Sequence, residues 1–207
     1  MPYRPTEKTE ARKKSQHNLL LTTALALVAK EGFQSLTVAM LAEHAQVAIG
    51  TVYKYFDSKA ELCSAVFRCA TEKEVDQVQQ SAFPEEATVS CEQRLANSIQ
   101  VFSERALEGF RLAYALIAEP VDATIQHERL KYRQAYAAIF EELIQEGIDK
   151  DEFCEQDAEV SAAALVGTLS ETLLGSIGSH MSEAKQIDQQ KLITNIQRFC
   201  LRAVKKS

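Results

Sequence analysis

The chain has 207 residues, 46% of them hydrophobic and 25% charged, with only 7 Gly and 4 Pro. So few turn formers exclude a β-sandwich or barrel, which needs breaks every ~8–12 residues, whereas abundant Ala, Leu, Glu, Gln and Lys favour helices because they lose little rotamer freedom there. A net charge of −6 excludes indiscriminate polyanion binding, but residues 1–60 carry 8 Lys/Arg against 5 Asp/Glu and the remainder 15 against 24, a basic head on an acidic body.

In chain order, residues 1–10 read as a mobile polar tail. A helix follows over 11–31, with Leu21, Ala24, Leu25 and Val28 on one face. Gly32 suits a C-terminal cap with positive φ, and Thr37 suits the N-cap of a short helix over 38–45. Gln46-Val47-Ala48 separates it from a second short helix over 49–56, and Ser58 caps a longer one over 59–80. After a loop at 83–90, helices are expected at 91–108, 110–119, 122–147, 157–178 and 188–204, joined through 147–156 and 179–188. Pro120 marks a sharp corner. The predicted fold is therefore all-α, nine helices in two parts: a three-helix head over residues 1–60 and a helical bundle over 61–207.

Two short helices joined by a three-residue turn and braced by a longer one form a helix-turn-helix, whose second helix lies in a DNA major groove. Leu36, Met40, Leu41, Val47, Val52 and Phe56 supply a core small enough for such a head. Thr37 and Lys59 stand at helix starts, where free N–H groups attract phosphate.

The run Leu36–Leu62, LTVAMLAEHAQVAIGTVYKYFDSKAEL, resembles the DNA-binding head of the tetracycline-repressor (TetR) family, most specifically in GTVYKYFDSKAEL. The likeness extends over about Ala11–Phe67 and implies a nine-helix, dimeric transcriptional repressor of double-stranded operator DNA. It implies phosphate contacts from Thr37, Thr51, Tyr53 and Lys59, and base-edge contacts from Ile49, Gly50, Lys54 and Tyr55. Aromatics at helical spacing also serve as core, so one of Tyr53 and Tyr55 can simply pack. Gln46 replaces the glycine usual in the family's turn and is expected to accept a left-handed conformation. Ala48 replaces the usual Ser or Thr cap and forfeits about 1 kcal/mol, while Ile49 offers only contact with a thymine methyl.

In the body, Ile125, Arg129, Tyr132, Tyr136, Ile139, Phe140 and Leu143 form an inward stripe, with Arg133 at its margin. Phe110, Tyr114, Ile117 and Leu169 face it in the expected bundle. Aromatics with a few polar groups describe a small-molecule pocket, suited to an apolar or aromatic effector, including an anionic one. Arg129 and Arg133 either hold an acid group of that effector or pair with Glu119 or Glu104. Helix 157–178 is apolar or small all round and must be buried on both sides. Its stripe Ala163, Gly167, Ser170, Leu174 and Gly178, with Leu192, Ile196 and Phe199 of the last helix, is the expected homodimer seam, as the resemblance also implies.

The five cysteines (63, 69, 91, 154 and 200) form no CxxC and stand at no metal-ligand spacing to His, which favours reduced thiols over zinc or disulfides. No metal, cofactor or catalytic set is expected: the four histidines are isolated and there is no Gly-rich phosphate loop. A helical enzyme would need one of these. A regulator without a ligand and an activator both remain compatible with the chain, whereas a non-DNA adaptor conflicts with the intact GTVYKYFDSK run. The N-terminus lacks the apolar stretch of a signal peptide, and no apolar run approaches the ~18 residues of a membrane span. A cytoplasmic protein with no membrane partner is expected.

Overall fold

The computed structural model describes residues 7–85, 89–181 and 188–206. Within them lie nine helices: α1 (Glu7–Ser35), α2 (Val38–His44), α3 (Ile49–Val52), α4 (Lys59–Ala82), α5 (Cys91–Glu108), α6 (Phe110–Ile117), α7 (Ala123–Asp149), α8 (Ala158–Met181) and α9 (Gln189–Val204). The most N-terminal part of the expected tail, the middle of the 83–90 loop and most of the 179–188 connection lie outside the described residues.

Local chemistry sets the boundaries. The α1 helix begins four residues earlier than expected and breaks at Gly32, where φ is 83°. The Thr37 Oγ accepts a hydrogen bond from Met40 N at 3.1 Å, and the Ser58 Oγ accepts one from Glu61 N at 3.1 Å. Pro120 follows the α6 terminus, and Asp122 opens α7 by accepting from the N–H groups of Thr124 and Ile125. The expected helix over 49–56 is α-helical only to Val52. Beyond it, Lys54 N donates to Thr51 O and Tyr55 N to Val52 O, tighter i→i+3 turns that swing Phe56 into the core.

Two hydrophobic clusters result. One joins α1, α2 and α3 to the first half of α4, and takes in Ala115 of α6 and Ile125 of α7. The other is the bundle core, in which α4 and α5 pack with α7, α8 and α9 around Leu95, Ile99, Phe140, Leu143 and Leu169. Residue 60 thus falls in the first turn of α4, a helix shared by both clusters. Contrary to the expectation from sequence, Ala158–Gly178 is long and apolar enough to cross a membrane. Its Leu165, Leu169, Leu173 and Ile177 are nonetheless buried in the bundle core.

An ion pair ties the far end of the bundle. Arg94, 3% exposed, donates to Glu146 Oε1 at 2.6 Å, to Ala82 O at 3.3 Å and to the Cys91 thiol at 3.1 Å. Hydrogen bonds from Arg94 and Lys150 hold the Glu146 carboxyl below its ordinary value of 4.5. Since the folded value is the lower one, the stabilisation is present above the unfolded value and is lost as pH falls through the folded one. Glu146→Gln is expected to lower stability by about 2 kcal/mol at neutral pH. In urea titrations that difference from wild type should shrink once the pH drops below 4.5.

Candidate nucleic-acid interface and effector cavity

The head presents one polar face. Ile49 and Tyr53 are each 51% exposed, and Thr37, Gly50, Lys54 and Lys59 are exposed beside them. Thr51 is half-buried. Tyr55 is the aromatic that packs: it is half-buried against the head core, its ring 6.1 Å from that of His17. His17 also stacks on Phe56 at 5.3 Å, so α1 braces the turn that ends α3. That contact was not expected, because a lone histidine on a helix carries no local sign of its partner. Gln46 adopts φ 55° as anticipated, and Ala48 makes no side-chain cap.

Beneath the head, α4, α5, α6, α7 and α8 line a half-open cavity of about 420 Å³. Of the residues expected there, Ile117, Arg129, Tyr132, Arg133 and Tyr136 line it. The other four do not: Phe140 and Leu169 are fully buried in the bundle core, and Phe110 and Tyr114 pack against that core. In their place Phe67, Thr71, Glu74 and Val78 of α4 form one wall and Phe102 and Arg105 of α5 another. The α4 residues recur at helical spacing, a stripe readable as core but not as cavity. Ser170, expected in the dimer seam, points inward and lines the cavity.

The polar groups of the cavity are unequal. Arg105 is paired through two hydrogen bonds to Glu74, the Nη2 bond being 2.8 Å long. Tyr132 OH donates to Glu72 Oε1 at 3.2 Å, and burial with the nearby Glu72 charge pushes its phenol upward in pKa. Arg129 does not pair with the carboxylate of Glu119 or of Glu104. Its guanidinium donates to the carbonyls of Leu116, Ala115 and Glu119 and to Gln126 Oε1, at 2.8, 3.2, 2.9 and 2.8 Å. Burial and the Arg133 charge lower its pKa from the usual guanidinium value. Arg133 remains exposed at the cavity margin.

On the outer bundle face, Val160 is 63% and Phe199 62% exposed, with Ala163 and Gly178 also exposed and Gly167, Leu174 and Leu192 half-buried. Ile196, expected in the seam, is 3% exposed and belongs to the chain's own core. Helical phase explains the change, since Ile193, Ile196 and Cys200 share the inward side of α9.

Residues 20–66 match the profile described as bacterial regulatory proteins, tetR family. A segment of 49 residues, 24% of the chain, is 41% identical to the HTH-type transcriptional repressor KstR of Rhodococcus jostii (strain RHA1) and spans 23% of that protein. The Fatty acid metabolism regulator protein of Bacillus subtilis (strain 168) is 24% identical over 169 residues, covering 78% of this chain and 83% of that one. In fold, the chain is similar to the transcriptional regulator FadR from Bacillus subtilis in complex with stearoyl-CoA. The TM-score is 0.74 at 20% identity, over 89% of this chain and 97% of that one.

The uncapped start of α3 yields a stability test of the head. Ala48→Ser should add a hydroxyl acceptor for the first free N–H groups and stabilise the protein by about 1 kcal/mol. Thermal unfolding reads this directly, and a lower midpoint would contradict the local geometry.

Proposed function

We propose that this chain is a DNA-binding transcriptional repressor of the tetR type, whose head matches that family over residues 20–66, and that an effector held in the bundle cavity releases it from its operator. The cavity carries this reading over that of a regulator without ligand. It is walled by five helices, is mostly apolar, and shares Phe67 with the core of the head. We read residues 1–60 as the DNA-binding part and 61–207 as the part that holds ligand and a second subunit. The protein acts in the cytoplasm as a regulator rather than an enzyme.

The proposed DNA contacts are Thr37, Ile49, Gly50, Thr51, Tyr53, Lys54 and Lys59, with Tyr55 supporting them from the head core. The proposed effector is an apolar molecule with an acid group. Its body would lie against Phe67, Phe102, Leu112 and Val166, and Arg133 would meet the acid at the margin. Arg129 is committed to carbonyl oxygens and is not proposed as that anchor. A relative crystallised with stearoyl-CoA makes a long-chain acyl compound the first to try.

The test is a titration of genomic operator fragments with and without stearoyl-CoA. Effector and operator should weaken each other's binding by the same factor, with a coupling of about 1–3 kcal/mol. Arg133→Ala should weaken stearoyl-CoA binding, while Lys59→Ala should lower operator affinity and its salt slope by about one unit. Operator affinity indifferent to stearoyl-CoA and to free fatty acids would remove the acyl assignment.

A single head reads too few base pairs for one genomic site, so we propose a homodimer through α8 and α9. The seam is the outward set Val160, Ala163, Gly167, Leu174, Gly178, Leu192 and Phe199, without Ser170 and Ile196. Gly167→Arg places a charge where a Cβ meets nothing within 4 Å in the single chain, so the fold should survive. In sedimentation the variant should run as a monomer and wild type as a dimer.

A further inference from the structure

Two buried charges meet where head and body join, yet their charged groups do not bond each other. Glu119 is 6% and Arg129 8% exposed, both beside the C-terminus of α6. The Glu119 carboxylate reaches into the head, where Oε2 accepts from Phe33 N and Oε1 from Gln34 N, each at 2.9 Å. Those amides follow the break at Gly32 and stand as free donors there. With φ at 83° and a Cβ position 2.8 Å from Glu119 Oε1, any larger residue at Gly32 would be strained and would push the carboxylate away.

Arg129 grips the same corner from the other side. Its hydrogen bonds run to the last carbonyls of α6 and to Glu119 O, a cation at the negative end of a helix. Its side chain also lines the cavity. Gln34 Nε2 donates to Pro120 O at 3.1 Å, and Arg111 Nη1 to Lys30 O at 3.1 Å, so the end of α1 is stitched to α6 along its length.

We propose that Glu119 is a positioning residue that carries the state of the cavity to the DNA-binding face. It holds the turn before α2, and with it Thr37 and the helix-turn-helix, to the end of α6, which Arg129 fixes from the cavity wall. This rests on the cavity being the effector site. The α6 helix has only eight residues, four of which (Leu112, Ala113, Leu116 and Ile117) face the cavity. An occupant that displaces α6 moves the Arg129 acceptors and Glu119 together. A side chain pinned by two amides cannot lengthen to absorb that shift, so the head follows.

The test is hydrogen exchange at the Phe33 and Gln34 amides of the full chain without DNA or effector, followed by operator titration. Wild type should protect both amides. Glu119→Gln should speed their exchange roughly tenfold, with Leu27 and Val28 amides unchanged as the measure of an intact fold. Arg129→Met, or Arg129→Lys if that variant unfolds, should do the same although Glu119 is untouched. Wild-type exchange at both amides in the folded Arg129 variant would make Glu119 a local cap and overturn the proposal. In titrations Glu119→Gln should still bind operator, but the factor by which stearoyl-CoA weakens that binding should fall towards one; an unchanged factor would likewise overturn it. Should stearoyl-CoA leave wild type unaffected, the acyl reading fails while the exchange comparison still decides the relay.

Discussion

A three-helix head of about sixty residues buries too little apolar surface to be secure by itself, and this constraint shapes the rest of the molecule. The cluster around Leu20, Val28, Leu41 and Val52 is closed from below by Val66 and Phe67 of α4, Ala115 of α6 and Ile125 of α7. The head therefore has no core of its own that ends at a boundary. Its orientation is part of the packing of the body, and a change in the body cannot leave it wholly indifferent.

The cavity lies beside this shared packing. Close-packed interiors have few voids larger than a water molecule, because unfilled space forfeits contacts on every lining atom. A half-open space of about 420 Å³ thus leaves Phe67, Phe102, Leu112 and Val166 without packing partners on one side. A ligand that restores those contacts stabilises whichever arrangement of the helices it fits. Phe67 belongs to both the head cluster and the cavity wall, so the two are continuous matter.

Features encoded by neighbours in sequence were legible. Caps at Thr37 and Ser58, the left-handed Gln46, the uncapped Ala48 and the corner at Pro120 each follow from residues within four positions. Helical phase was legible in outline but not in detail. The inward stripe of α7 was correct for Tyr132 and Tyr136, yet Phe140, on the same stripe, lies beyond the cavity in solid core. Ser170 and Ile196 sat on stripes whose outward side could not be told from the inward one. Contacts between distant segments were not legible. Arg129 had Glu119 as one expected partner, whereas backbone N–H and C=O groups, which every residue carries, became the partners of both.

The thiols also divide by position. Cys63 and Cys200 are pushed up to about 11 by burial, and burial raises Cys91 as well. A thiolate is the reactive form, and burial disfavours it at all three. Cys154 is half-buried, which leaves Cys69 as the exposed thiol. It stands on α4 between Phe67, at the head end of the cavity, and Thr71 farther along its wall. The native chain thus carries its own attachment point for a fluorophore or spin label on the helix shared by head and cavity, with no engineered cysteine required.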